Sequence, residues 1–215
     1  MSTVAAEMGV SEAALYRYVD GKEGLFVLAI RHALLLEELP AGDLPLSPGT
    51  LADTVQQVRE FIAEVVPFGT LAEALAAPSS GARGFSGLDA VAELEKVLRE
   101  LYELESRTRE AADMLERSAR ELPEMADLLN TGFRGPVLAA LTTYLADGAA
   151  AGLLRRTPDP GATARLVLET LTWFARHRFS DPAGAAIPAE LAEQTAVDAL
   201  MHALMPGGRV EGGAA

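Results

Sequence analysis

Apolar residues in this chain return at intervals of three and four, and that periodicity limits what it can fold into more than any other feature. Val91, Leu94, Leu98 and Leu101 make one such stripe, and Val197, Leu200, Met201 and Leu204 make a second. Leu25, Leu28, Ala29, His32 and Leu36 make a third. This spacing sets one face of a helix against a core, whereas a half-buried strand alternates apolar and polar residues. Alternation of that kind is hard to find here. Alanine and leucine, both strong helix formers, abound. The fold class expected is all-α.

Proline and glycine clusters cut the helices apart. Residues 40–49, 78–87, 157–161 and 180–188 read as loops and turns, because no helix survives proline at that density. Pro123 and Pro136 suit first-turn positions, where a missing N–H costs nothing. The helices expected are roughly 2–8, 12–18, 22–38, 50–66, 68–76, 88–120, 123–131, 135–152, 161–178 and 189–205. The first three are short and joined by tight turns. A small N-terminal module over 1–38, a larger helical body over 39–206 and a frayed tail over 207–215 are the expected divisions.

The chemistry available is restricted. Of 215 residues, 18 are lysine or arginine and 31 are acidic, a formal charge of −13, so a uniformly basic nucleic-acid binder is excluded and any DNA contact must be a local patch. Cysteine is absent, which removes disulfides, zinc ribbons and thiol catalysis. His32, His177 and His202 share no metal-ligand spacing, and no catalytic triad spacing, phosphate loop or dinucleotide fingerprint appears. An enzyme is therefore not expected, nor a cofactor or metal. Glu7 and the lack of an apolar stretch at the N-terminus speak against a signal peptide. The weakly polar stretch 137–154 is broken by Asp147, Gly148 and Gly152 and reads as a buried helix rather than a membrane span. A soluble, cytoplasmic protein with no membrane partner is the expectation.

Residues 4–25, VAAEMGVSEAALYRYVDGKEGL, carry the one specific motif. Gly9 suits a left-handed residue that ends a first helix, and Val10 suits a plug in the turn. Ser11 is a natural N-cap for a second helix. Helix, short glycine turn and helix is the helix-turn-helix pattern, whose second helix enters the DNA major groove. Asp20 and Glu23 have the spacing of a capping box for the next helix.

Val4-Ala5, Gly9-Val10-Ser11, Leu15-Tyr16-x-Tyr18 and Lys22-Glu23-x-Leu25 together resemble the TetR/AcrR family of bacterial transcriptional regulators. The resemblance implies that Ser11 to Arg17 form the recognition helix. Glu12, Ala13 and Ala14 would face base edges, and Arg17 would pair with guanine or phosphate. Tyr16, Tyr18 and Lys22 would bind phosphates. Val4, Ala5, Val10, Leu15 and Val19 would be core. The same tyrosines also read as half-buried packing residues, and Lys22 as a solvated surface charge.

For the remainder, the resemblance implies a ligand-responsive regulator that binds operator DNA as a homodimer and is released by a small apolar or amphipathic effector. The dimer would form through helices at about 161–178 and 189–205, along a seam of Ala164, Leu168, Leu171 and Ala175 matched by Val197, Leu200 and Leu204. The same seams also suit packing within one subunit. Large apolar or aromatic residues would line the effector cavity: Leu101, Tyr102, Met114, Phe133, Leu141, Tyr144, Trp173 and Phe174. Each also reads as plain core. Family members carry a further helix ahead of the motif; with Met1 at its start, the expectation is either a protein that starts further upstream or the loss of that first helix. Residues 1–38 hold Arg17, Lys22 and Arg31 against Glu7, Glu12, Asp20, Glu23, Glu37 and Glu38, a net of −3. The alternative is thus a ligand-binding and dimerisation protein of repressor descent that has lost DNA binding.

Overall fold

A computed structural model describes residues 2–34, 38, 43–65, 68–76 and 87–206, and these are all-α. The helices of the first half are α1 (Ser2–Glu7), α2 (Glu12–Leu15), α3 (Gly21–Leu34), α4 (Leu51–Val65), α5 (Gly69–Ala76) and α6 (Gly87–Arg107). Then come α7 (Arg109–Ser118), α8 (Pro123–Asp127), α9 (Gly135–Ala150), α10 (Pro160–Ala175), α11 (Pro182–Ala185) and α12 (Ala189–Leu204). The tail at 207–215 lies outside the described residues. No described helix is long and apolar enough to cross a membrane.

Packing divides the chain into two compact units rather than at a single cut near residue 39. One comprises Met1–Val65 with Glu110–Gly132, the other Val66–Arg109 with Phe133–Ala215. Two of the crossing points coincide with departures from regular helix. The helix expected over 88–120 is interrupted at Thr108, between α6 and α7. The helix expected over 123–131 stops at Asp127 and widens into a π-helical turn over Leu128–Arg134. Pro136 explains the widening: it has no N–H and its ring crowds the carbonyl four residues back, so a regular turn cannot lead into it.

In the first unit, Val27, Ile30, Val58, Met125 and Leu128 are wholly buried, and Arg59 pairs with Asp127 at the surface. Of the expected stripe on α3, Leu28 is buried, and the neighbouring Val27 and Ile30 complete the buried face. Leu25 and Ala29 are only partly buried, His32 is exposed, and Leu36 falls outside the described residues. The 43–50 loop lies against this helix. A Cβ on Gly24 would stand 3.1 Å from Val19 Cγ2 and 3.4 Å from Pro48 Cδ, so glycine admits that loop, and Arg31 Nη1 donates to the Pro48 carbonyl at 3.1 Å. Thr50 caps α4, its Oγ1 accepting the Asp53 N–H at 3.1 Å.

The second unit is built around α10, which packs on α6, α9 and α12. Leu94, Leu98, Leu101, Val137, Leu141 and Leu171 form its core. Glu100 holds α5 to α6, accepting from the Thr70 N–H at 2.8 Å and hydroxyl at 3.0 Å. Asp159 caps α10 through the N–H groups of Gly161 and Ala162, with Pro160 in the first turn. The helix expected to 178 ends at Ala175, and a 3₁₀ turn (His177–Ser180) and α11 follow, the latter capped by Asp181. The residues expected to form an intersubunit seam, Ala164, Leu168, Leu171, Ala175, Val197, Leu200 and Leu204, are all buried within this single chain. They are consumed by packing α10 against α12 and α6, and so are not an interface.

Candidate functional site

The turn between α1 and α2 forms as the residue types dictate. Gly9 has φ +66°, a region open to glycine at least cost. Ser11 is extended at φ −76°, ψ 151°, and its Oγ accepts the Ala14 N–H at 3.2 Å. Only one helical turn follows, because α2 ends at Leu15 rather than near residue 18. The chain is then drawn to the 43–50 loop: the Leu46 N–H donates to the Tyr18 carbonyl at 2.8 Å, and the Asp20 N–H donates to the Leu46 carbonyl at 3.0 Å.

Ala5, Leu15 and Val19 are buried, as expected of core. Val4 and Val10 are 40% exposed and are not core. Neither has a second apolar layer over it among the described residues. Ser11, Glu12, Ala13, Tyr16, Arg17, Tyr18 and Lys22 are exposed and Ala14 partly so. Tyr16 is 46% and Tyr18 58% exposed. Tyr16, Arg17, Tyr18 and Lys22 offer two hydroxyl donors and two cations within seven residues. Glu12, Asp20 and Glu23 are exposed among them. Glu23 does not complete a capping box with Asp20; its Oε1 accepts the N–H of Leu51, at the start of α4, at 3.3 Å.

In the second unit, a cleft of about 690 Å³ is framed by α6, the 3₁₀ turn and α12. Its rim is a lattice of ion pairs. Arg99 bridges Glu95 and Glu193, each at 2.8 Å, while Lys96 stands 3.8 Å from Glu100 and Arg107 3.7 Å from Glu103. The Arg99 pKa is raised by its bonds to Glu95 and Glu193. Tyr102, Arg178 and Phe179 also line the cleft. The Tyr102 hydroxyl donates to the Phe174 carbonyl at 3.4 Å. Burial pushes its pKa up, and the neighbouring Arg178 partly offsets this.

Of the eight residues expected around an effector cavity, Tyr102 alone lines this cleft. Leu101, Leu141 and Tyr144 are buried core, Phe133 and Phe174 are partly buried, and Trp173 is exposed. Met114 belongs to the other unit. The cleft walls are charged rather than apolar.

Beside the Tyr102 turn of α6 lies a buried ion pair. Glu105, 4% exposed, accepts from Arg176 Nη1, on a residue 3% exposed, at 3.1 Å. Burial raises the Glu105 pKa above the ordinary carboxylate range, against the opposing pull of Arg176, Arg134 and the Thr172 hydroxyl. Nothing in the residue pattern marks these residues. Arg176, His177 and Arg178 form a basic run just after an apolar helix, a pattern that ordinarily marks a solvated helix end. Among the described residues, no group of His, Asp and Glu gathers as metal ligands would.

Comparison with known proteins found no matching family model, no similar curated protein and no similar solved structure.

Proposed function

We propose that this chain is a cytoplasmic, ligand-responsive transcriptional repressor of the TetR/AcrR type, a binding protein rather than an enzyme. The observation that carries the reading is the exposure of Tyr16, Arg17, Tyr18 and Lys22 directly after the Ser11-capped turn. Tyrosine hydroxyls and a lysine ammonium suit phosphate oxygens, and arginine suits either phosphate or a guanine edge. Ala13 and Ala14 are small enough to meet thymine methyl groups.

A homodimer would set two such turns about one DNA turn apart. Because the seam residues of α10 and α12 are buried in one chain, the outward faces of these helices are left for a second copy. Leu166, 60% exposed, and Trp173 on α10, with Leu191 on α12, supply apolar surface there. An effector in the second unit would act by favouring one of two dimer states.

The test is selection of the full chain against a random pool of duplex DNA at low and moderate salt. Specific sequences should be enriched, with affinity falling steeply as salt rises. Arg17→Ala or Lys22→Ala should lower the salt slope by about one each if they contact phosphate. No retention of any duplex at low salt would overturn the reading. That result would favour the second one, a ligand-binding and dimerisation protein of repressor descent without DNA binding. The exposed acids Glu12, Asp20 and Glu23 beside the cations are the observation on its side.

A further inference from the structure

We propose that the cleft on α6 and α12 binds a small organic monocarboxylate, with Arg178 as the cation that receives the carboxylate. This names a ligand class for the effector of the regulator reading and rests on that reading for its consequence, though not for the binding itself.

Arg178 is 3% exposed, yet among the described residues it has no carboxylate partner. Its Nη1 donates to the Ile187 carbonyl at 2.7 Å and to that of Gly184 at 3.4 Å, and its Nε has no hydrogen-bond partner. A guanidinium carries five N–H donors and a full charge, and neutral carbonyls satisfy the donors without neutralising the charge. The other cleft cations Lys96, Arg99 and Arg107 already stand against glutamates. Among the described residues, Arg178 is the cleft cation without a carboxylate partner.

The neighbours of Arg178 suit an anion. The Tyr102 hydroxyl lies beside it and spends its proton on a long 3.4 Å bond to the Phe174 carbonyl, which a carboxylate oxygen would better. Phe179 carries two guanidiniums, with Arg178 Cζ 4.0 Å and Arg109 Cζ 4.2 Å from the ring centroid. This stacking fixes the Arg178 plane.

The rim then selects among anions. Glu95, Glu100, Glu103, Glu190 and Glu193 also line the cleft, so a second negative charge on the ligand would be repelled. A monocarboxylate passes this screen and a phosphate dianion does not. The volume, about 690 Å³, is in the range of small-molecule sites, and the Phe179 ring with Ala92 and Ala189 offers apolar contact to the body of the ligand.

The test is calorimetric titration of the full chain with benzoate, octanoate and indole-3-acetate, each beside its primary amide, and with phenyl phosphate. At least one carboxylate should bind 10-fold or more tightly than its amide, a gap typical of a lost charged hydrogen bond. It should also bind more tightly than phenyl phosphate. Arg178→Gln should abolish the difference between acid and amide. Because that change also loosens the turn that Arg178 holds, two exposed positions supply an independent check. Arg107→Glu should weaken carboxylate binding several-fold, and Glu190→Gln should strengthen it. Equal binding of acid and amide, no binding by any of the three acids, tighter phenyl phosphate, or the opposite response of the two rim variants would each overturn the inference. A chain that retains DNA but ignores every carboxylate defeats this inference alone. One that binds a carboxylate but no DNA leaves it standing and defeats the regulator reading.

Discussion

Arg176→Met should unmask the cost of keeping Glu105 inside the second unit. The two residues are 3% and 4% exposed and 3.1 Å apart, so the change leaves a carboxylate with no solvent to stabilise it and only the Thr172 hydroxyl and the more distant charge of Arg134 in its favour. Breaking one side of a buried pair costs about 3–5 kcal/mol. A carboxyl has an escape, however, because it can take up a proton. Burial already raises the Glu105 pKa, and losing its largest opposing influence, Arg176, raises it further. Between the ordinary carboxylate value and that raised folded value, the native state holds more protons than the unfolded chain, so stability falls as pH rises, by at most about 1.4 kcal/mol per pH unit. The variant should therefore lose less near pH ~5 than near ~7.5, by at most about 3.5 kcal/mol across that interval. Glu105→Leu added to Arg176→Met should recover most of the loss and remove its pH dependence. Trp173 is the only tryptophan and lies on α10 three residues from Arg176, so its fluorescence during urea unfolding reports on this unit directly. A loss below about 1 kcal/mol at the higher pH, or the same loss at both, would refute the reasoning.

Three further perturbations test other parts of the fold. Ser11→Ala should cost about 1 kcal/mol locally and show as faster amide exchange at Ala14, whose N–H it holds; unchanged exchange would mean the cap contributes nothing. Gly184→Ala would place a Cβ 2.6 Å from the Arg178 carbonyl oxygen, part of the backbone and unable to move aside cheaply, so about 1–3 kcal/mol should be lost in denaturant unfolding, and a neutral result would refute the close approach. Leu166→Glu should split a dimer in sedimentation without loss of helical circular dichroism; a dimer that persists would place the interface elsewhere.

Much of this was legible in the chain. The all-α class follows from spacing alone, since apolar residues at intervals of three and four have no other way to share a face. The helix starts at Pro123 and beside Pro136 follow from residues that suit a first turn, and the Gly9–Ser11 turn follows from backbone preference and a side-chain oxygen. The break at Thr108 was less visible, because a threonine within an apolar-periodic run does not by itself end a helix. The site was legible only in part. The exposed set from Ser11 to Lys22 came from the motif, whereas Val4 and Val10, core by the same resemblance, are 40% exposed. Residue type cannot say whether anything covers them.

Local propensity and spacing thus determined which segments are helices, where they begin, and how the Ser11 turn is capped. Tertiary packing decided the rest. The α10 and α12 seams read equally as a surface between subunits or a surface within one, and only the positions of α6 and α9 assign them to one chain. Burial of Arg178 and Glu105 was likewise decided by packing, since nothing next to either residue in sequence fixes its distance from water. Helix periodicity names an apolar face but not its partner, and a charge shows its cost only once the dielectric around it is set by groups distant in sequence.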